Sequence, residues 1–181
     1  MRATTRLAGG LSALMAGLAL TACGAITTTA THSDGSIPPC RTTSLKWTLT
    51  LLDGTDKGGE RAGARLTGVN KGPEICVFDG YPGVEVHNGK AETIDGAGKG
   101  HPESVAVPEG AGVSVDLHYT PRGAKGAAPY CVRQSEAVVQ APHDAHRAVV
   151  PIVDTHGRTK AIDACGEKLT LQPPRRTPAG S

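Results

Sequence analysis

The sequence predicts an all-β domain, an antiparallel sandwich of about seven to nine strands braced by two disulfides. Three observations carry this. Apolar and polar residues alternate in short runs, the period of a strand with one wet face. Gly and Pro punctuate every interval, and no run shows the 3.6-residue period of an amphipathic helix. Four cysteines, Cys40, Cys76, Cys131 and Cys165, are spread along the same stretch.

Leu45, Trp47, Leu49 and Leu51 alternate with Ser44, Lys46, Thr48 and Thr50, which makes the first strand. A Gly-rich charged loop covers 53–63, followed by strands over 65–70 and 76–78. Val84 and Val86 run into Asn88-Gly89, a hairpin signal because both turn positions favour positive φ, and 91–94 form the return strand. A second Gly-rich loop spans 95–104. Val105 and Val107 begin a strand that Pro108-Glu109-Gly110 stops. Val113, Val115, Leu117 and Tyr119 then alternate with Ser114, Asp116 and His118. Residues 137–141, 148–153 and 169–171 complete the set, so the domain occupies 40–174. Residues 175–181, which open on Arg175-Arg176, are expected to be a disordered tail.

Upstream lies an address. Arg2 and Arg6 precede an uncharged run over 7–20, rich in Leu, Ala and Gly. It is shorter than the roughly 20 apolar residues of a membrane span and suits a signal peptide over 1–22. Leu20-Thr21-Ala22-Cys23 resembles the lipobox of bacterial lipoproteins, in which the cysteine thiol receives a diacylglyceryl group. The expectation is Sec export, cleavage before Cys23 and anchoring by lipid to the outer, extracytoplasmic face of the cytoplasmic membrane. Residues 23–39, Thr-rich and then Pro38-Pro39, are a flexible tether with a reach of roughly 20–25 Å.

Charge excludes one class of partner. The chain has 19 basic and 17 acidic residues, and removing 1–22 takes away two arginines and no acid, leaving 17 of each sign. A neutral domain without a basic stripe is a poor nucleic-acid binder.

Export places the chain where disulfides persist. With Cys23 spent on lipid, the other four cysteines allow three connectivities. Cys40–Cys76 and Cys131–Cys165 are favoured, because each closes a loop of similar length within one half of the chain. Such a loop contributes roughly 3–4 kcal/mol. That matters where aromatics are only 3% of the chain and large core side chains are few.

The run Cys76-Val77-Phe78-Asp79-Gly80-Tyr81-Pro82-Gly83-Val84, with Pro39-Cys40 before it, resembles domain-of-unknown-function family 4232 of actinobacterial secreted proteins and lipoproteins. Leu66-Thr67-Gly68-Val69-Asn70-Lys71-Gly72 and Val107-Pro108-Glu109-Gly110 are similar to further pieces of its pattern. The resemblance spans 40–174 and implies an immunoglobulin-like sandwich and no assigned activity. Gly68 departs from the pattern, which often has a large apolar residue there, and this leaves one core position thin.

Gly80-Tyr81-Pro82-Gly83 is a tight chain reversal, since Pro fixes φ and Gly tolerates positive φ. Tyr81 either covers the open end of the core or presents an aromatic to a partner. His143-Asp144-Ala145-His146 sets two imidazoles around an acid, enough to weigh a copper or zinc site but without a third histidine or a cysteine. Gly112-Val113-Ser114-Val115-Asp116 lacks the last glycine of a nucleophile elbow. The first expectation is therefore a non-catalytic envelope module, free of cofactor, that binds or scaffolds an unknown protein or glycan. The alternatives are a metal handler using His143 and His146, and an envelope hydrolase.

Overall fold

Period two in the sequence becomes strands whose partners the period does not name. The computed structural model describes residues 36–55, 62–87 and 93–179. The signal peptide, Cys23, the tether up to Gly35 and the Asn88-Gly89 turn lie outside the described residues.

After a 3-10 turn at Thr42–Ser44 the strands are β1 (Leu45–Thr55), β2 (Ala62–Asn70), β3 (Cys76–Phe78), β4 (Gly83–His87), β5 (Thr93–Ala97) and β6 (Val105–Val107). They continue as β7 (Gly112–Pro121), β8 (Cys131–Gln134), β9 (Glu136–Gln140), β10 (Ala148–Val153), β11 (Ile162–Leu171) and β12 (Arg175–Thr177). The order β7-β2-β1-β10-β9-β4-β5-β11 closes on itself, because β11 also pairs with β7. β12 hangs on β7, β8 hangs on β11, and β3 with β6 forms a separate two-stranded ribbon.

This corrects the expected antiparallel immunoglobulin-like sandwich. The fold is a closed eight-stranded barrel of mixed direction, with β1 parallel to β10 and β5 parallel to β11. The physical reason lies in β11 and β7. The β11–β7 register shifts between Cys165 and Thr170, and Gly166 sits there at φ +106°. A bulge of this kind bends a strand and increases its twist, which is how an open sheet closes. Alternation reports which face of a strand is buried and is blind to such a closure.

The buried face matches the alternation. Leu45, Trp47, Leu49, Leu66, Val84, Val86, Ile94, Val115, Leu117, Val139, Ile152, Leu169 and Leu171 fill one core. Each such aliphatic contributes roughly 1.5–3 kcal/mol relative to exposure. Gly68 does not leave the core thin. It is buried opposite Trp47, whose ring atoms lie 3.0 and 3.1 Å from where a Cβ would stand, so the indole occupies the missing side chain's volume. The indole N–H donates to the Thr42 carbonyl at 3.1 Å, and the ring meets Phe78 with centroids 6.2 Å apart.

Cys40 is bonded to Cys76, and Cys131 to Cys165, the favoured pairs. The second bond joins directly opposed positions of β8 and β11. Two boundary expectations need correction. Pro38 and Pro39, placed in the tether, lie along β3: the Val77 amide donates to the Pro38 carbonyl and the Cys40 amide to the Val77 carbonyl, both at 2.8 Å. Residues 175–177, placed in a disordered tail, form β12 opposite Gly112, Val113 and Ser114 of β7. Strand β12 covers Ser114, which is why that polar residue is buried on a face expected to be wet.

Candidate functional site

The chain reversal before β4 builds the most distinctive surface. Gly80 takes φ +116°, Pro82 is buried, and Tyr81 is half-buried against the core. The Tyr81 ring rests on Gly98. A Cβ at Gly98 would lie 2.2–2.3 Å from three ring atoms, so only glycine permits this placement. The phenol donates to the Lys99 carbonyl at 3.0 Å. The hydroxyl-bearing end of the ring is therefore fixed, and Tyr81 packs against the core while part of it stays exposed.

Tyr81 is a wall shared by two hollows. One, of about 310 Å³, is lined by Gly100, His101, Pro102, Pro142 and His143. The other, of about 330 Å³, is lined by Lys99, Thr170, Leu171, Gln172 and Pro173. His143 stands at φ +59°, the non-glycine residue with positive φ among those described, a conformation histidine tolerates better than most. Its imidazole Nε2 lies 3.8 Å from the position of a Gly80 Cβ, which brings it over the reversal.

The His143–His146 pair is not assembled as a metal site would require. His143 lines the first hollow, whereas the His146 Nδ1 faces the Asp144 carboxylate at 3.2 Å. Asp144 between them turns inward and is buried. It accepts the Thr42 amide at 2.6 Å and the His146 amide at 3.3 Å, with Arg41 3.8 Å away. The Thr42 hydroxyl donates to the His146 carbonyl and accepts the Ala141 amide, both at 2.9 Å. These bonds, the Thr42 amide first, hold the Asp144 carboxyl well below the usual carboxylate range against the cost of burial. Among the described residues no group of three or more His, Cys, Asp or Glu is placed to hold a metal ion.

The other buried carboxylate, Asp154, is committed in the same way. Burial raises its pKa, but the amides of Arg158 and His156, both at 2.9 Å, and the Arg158 guanidinium at 2.7 Å outweigh burial and lower it. A third hollow, of about 240 Å³, lies beside Pro38, Pro39, Arg41 and Ile75. Its buried polar side chain, Asn70, is spent on the Glu74 and Val107 carbonyls at 2.8 and 2.9 Å and on the Gly72 amide at 2.9 Å.

Gly98, Lys99, His101, Thr170 and Gln172 did not stand out in the sequence. They come from the second Gly-rich loop and the end of β11, and they meet Tyr81 through tertiary contacts that leave no local spacing.

Searches among curated proteins and solved structures find no match. A family model does match, over residues 40–174, which include both disulfides, the reversal at Tyr81 and all the barrel strands. The chain therefore belongs to the family described as Domain of unknown function (DUF4232).

Proposed function

We propose that this protein is a cell-envelope lipoprotein whose barrel is a non-catalytic binding or scaffolding module. The observation that carries the reading is Tyr81, an aromatic ring whose hydroxyl-bearing end is held by Gly98 and the Lys99 carbonyl and which is flanked by two hollows. A fixed, half-buried aromatic loses little conformational freedom on binding, which makes it an efficient recognition surface. The commitment of both buried carboxylates, Asp144 and Asp154, to backbone amides supports a non-catalytic role, since each is held ionised by structure and neither lines a hollow at Tyr81. The anchor rests on Leu20-Thr21-Ala22-Cys23 and on the use of the other four cysteines in disulfides.

Fractionation of cells producing wild type and Cys23→Ser tests the anchor. Wild type is expected in the membrane with a diacylglyceryl mass on Cys23, and the variant in the medium. A mature N-terminus without lipid removes the anchor. Proximity labelling from the tethered protein tests the module. Neighbours labelled by wild type and lost in Tyr81→Ala are expected, whereas a labelling pattern indifferent to Tyr81 removes this surface from the function.

A further inference from the structure

Resting on the binding-module reading, we propose that the Tyr81 surface takes a saccharide chain, with one sugar against the phenol ring and its neighbours in the two hollows. Sugar rings offer apolar C–H faces and a rim of hydroxyls. The Tyr81 ring, seated on Gly98 and anchored at its hydroxyl, supplies a rigid apolar plane. The hollows supply what hydroxyls need. Gln172, Thr170 and the imidazoles of His101 and His143 can each donate and accept hydrogen bonds, and Lys99 adds a donor. Gln172, Thr170, Lys99 and His101 are exposed and reach solvent from their walls.

Competing ligand classes fit less well. Among the described residues neither hollow is lined by a carboxylate, so nothing there draws a cation or a basic peptide. Strand addition has no free edge at this place, because β4 is bonded to β9 on one side and β5 on the other, and β11 to β5 and β7. Protein partners generally insert an apolar anchor into a desolvated pocket. Here the apolar floor of the second hollow, Leu171, is already buried in the barrel core. A polyproline helix laid over Tyr81 and Pro102 is the remaining rival, and its chemistry is separable by experiment.

The full mature protein, purified in detergent, is titrated calorimetrically with chitohexaose, a galactan oligomer, an arabinan oligomer, a mannan oligomer and muramidase-released muropeptides, and separately with decaproline. Saturable binding of at least one saccharide is expected. It weakens about tenfold or more in His101→Ala/Gln172→Ala, whose changed residues are exposed, and is unchanged in Val149→Ser, an exposed residue that lines a different hollow. Tyr81→Phe, which keeps the ring, retains most of the affinity. Absence of saccharide binding, or binding indifferent to the double substitution, overturns the proposal. Decaproline binding that depends on His101 and Gln172, with no saccharide bound, also overturns it while leaving the module reading intact. Loss of that reading shows separately, as proximity labelling that ignores Tyr81.

Discussion

Asp144 is a single carboxylate that holds two distant stretches of chain together, the Thr42 turn and the segment between β9 and β10. Its depressed pKa fixes the sign of a pH effect. The native state favours the ionised form, so the stabilisation is complete above the unfolded value of about 3.9 and is lost progressively as pH falls below it. Asp144→Asn keeps an acceptor and loses the charge, and is expected to cost about 1–2 kcal/mol at pH 7. Urea midpoints at pH 7 and pH 3 check this, with the gap between wild type and variant expected to narrow at the lower pH. Gly98 gives a second prediction at the same scale. Gly98→Ala drives a methyl into the Tyr81 ring and should cost about 1–3 kcal/mol. In a Tyr81→Ala background that cost should fall to a few tenths, so a thermal double-mutant cycle reads the contact directly. Equal costs in both backgrounds rule out the ring as the obstacle. Tyr81 was legible in the sequence because a Gly-Tyr-Pro-Gly run constrains its own backbone; Gly98 was not, because its partner lies 17 residues away and reaches it only in the fold.

Strands separate what alternation can and cannot disclose. β1, β2 and β7 were readable because their apolar residues fall at every second position and one face is buried. β8 and β12 were not: Cys-Val-Arg-Gln and Arg-Arg-Thr carry no alternation, β8 burying only Val132 and pairing with β11, and β12 burying no side chain and pairing with β7. The pieces that resembled a family turn out to be mechanically connected. Cys40 bonds Cys76, Asn70 ties its own turn to Val107 of β6, and the Gly110 amide donates to the Asn70 carbonyl at 2.9 Å. Much of that pattern therefore describes a clamp between barrel and ribbon. At the other end of the chain, Arg175 pairs with Asp116, whose carboxyl Arg65 already binds at 2.6 Å and holds below its ordinary value. Ending the chain after Pro174 removes β12 and uncovers Ser114. With a few net hydrogen bonds lost, the expected cost is about 1–3 kcal/mol. Arg175→Ala alone, with its side chain 61% exposed, should cost less than about 1 kcal/mol. Urea unfolding of both variants distinguishes a structural strand from a tail, since a tail predicts no loss in either.

Closure decides how the whole molecule comes apart. An open sheet has end strands that can peel away; in this barrel every one of the eight strands is paired on both sides, through β7 and β11 at the seam. The ribbon β3–β6 forms a separate sheet outside that ring and so has grounds to melt independently. Three ties oppose this: the Cys40–Cys76 bond, the Asn70 network and the packing of Phe78 on Trp47. Trp47 is the chain's one tryptophan, sits in β1 opposite Gly68, bonds the Thr42 carbonyl and touches the ribbon through Phe78. Its emission therefore reports the junction, while far-UV circular dichroism reports the barrel strands. If closure and the ties make one cooperative unit, the two signals follow a single urea transition with the same midpoint and slope. Replacing Cys40 and Cys76 by Ala should lower stability by about 4 kcal/mol through the freed unfolded chain. It should leave the two curves coincident, because Asn70 and Phe78 still join the parts. A Trp47 midpoint below the circular dichroism midpoint in that variant, with coincidence in wild type, shows instead that the disulfide alone couples ribbon to barrel.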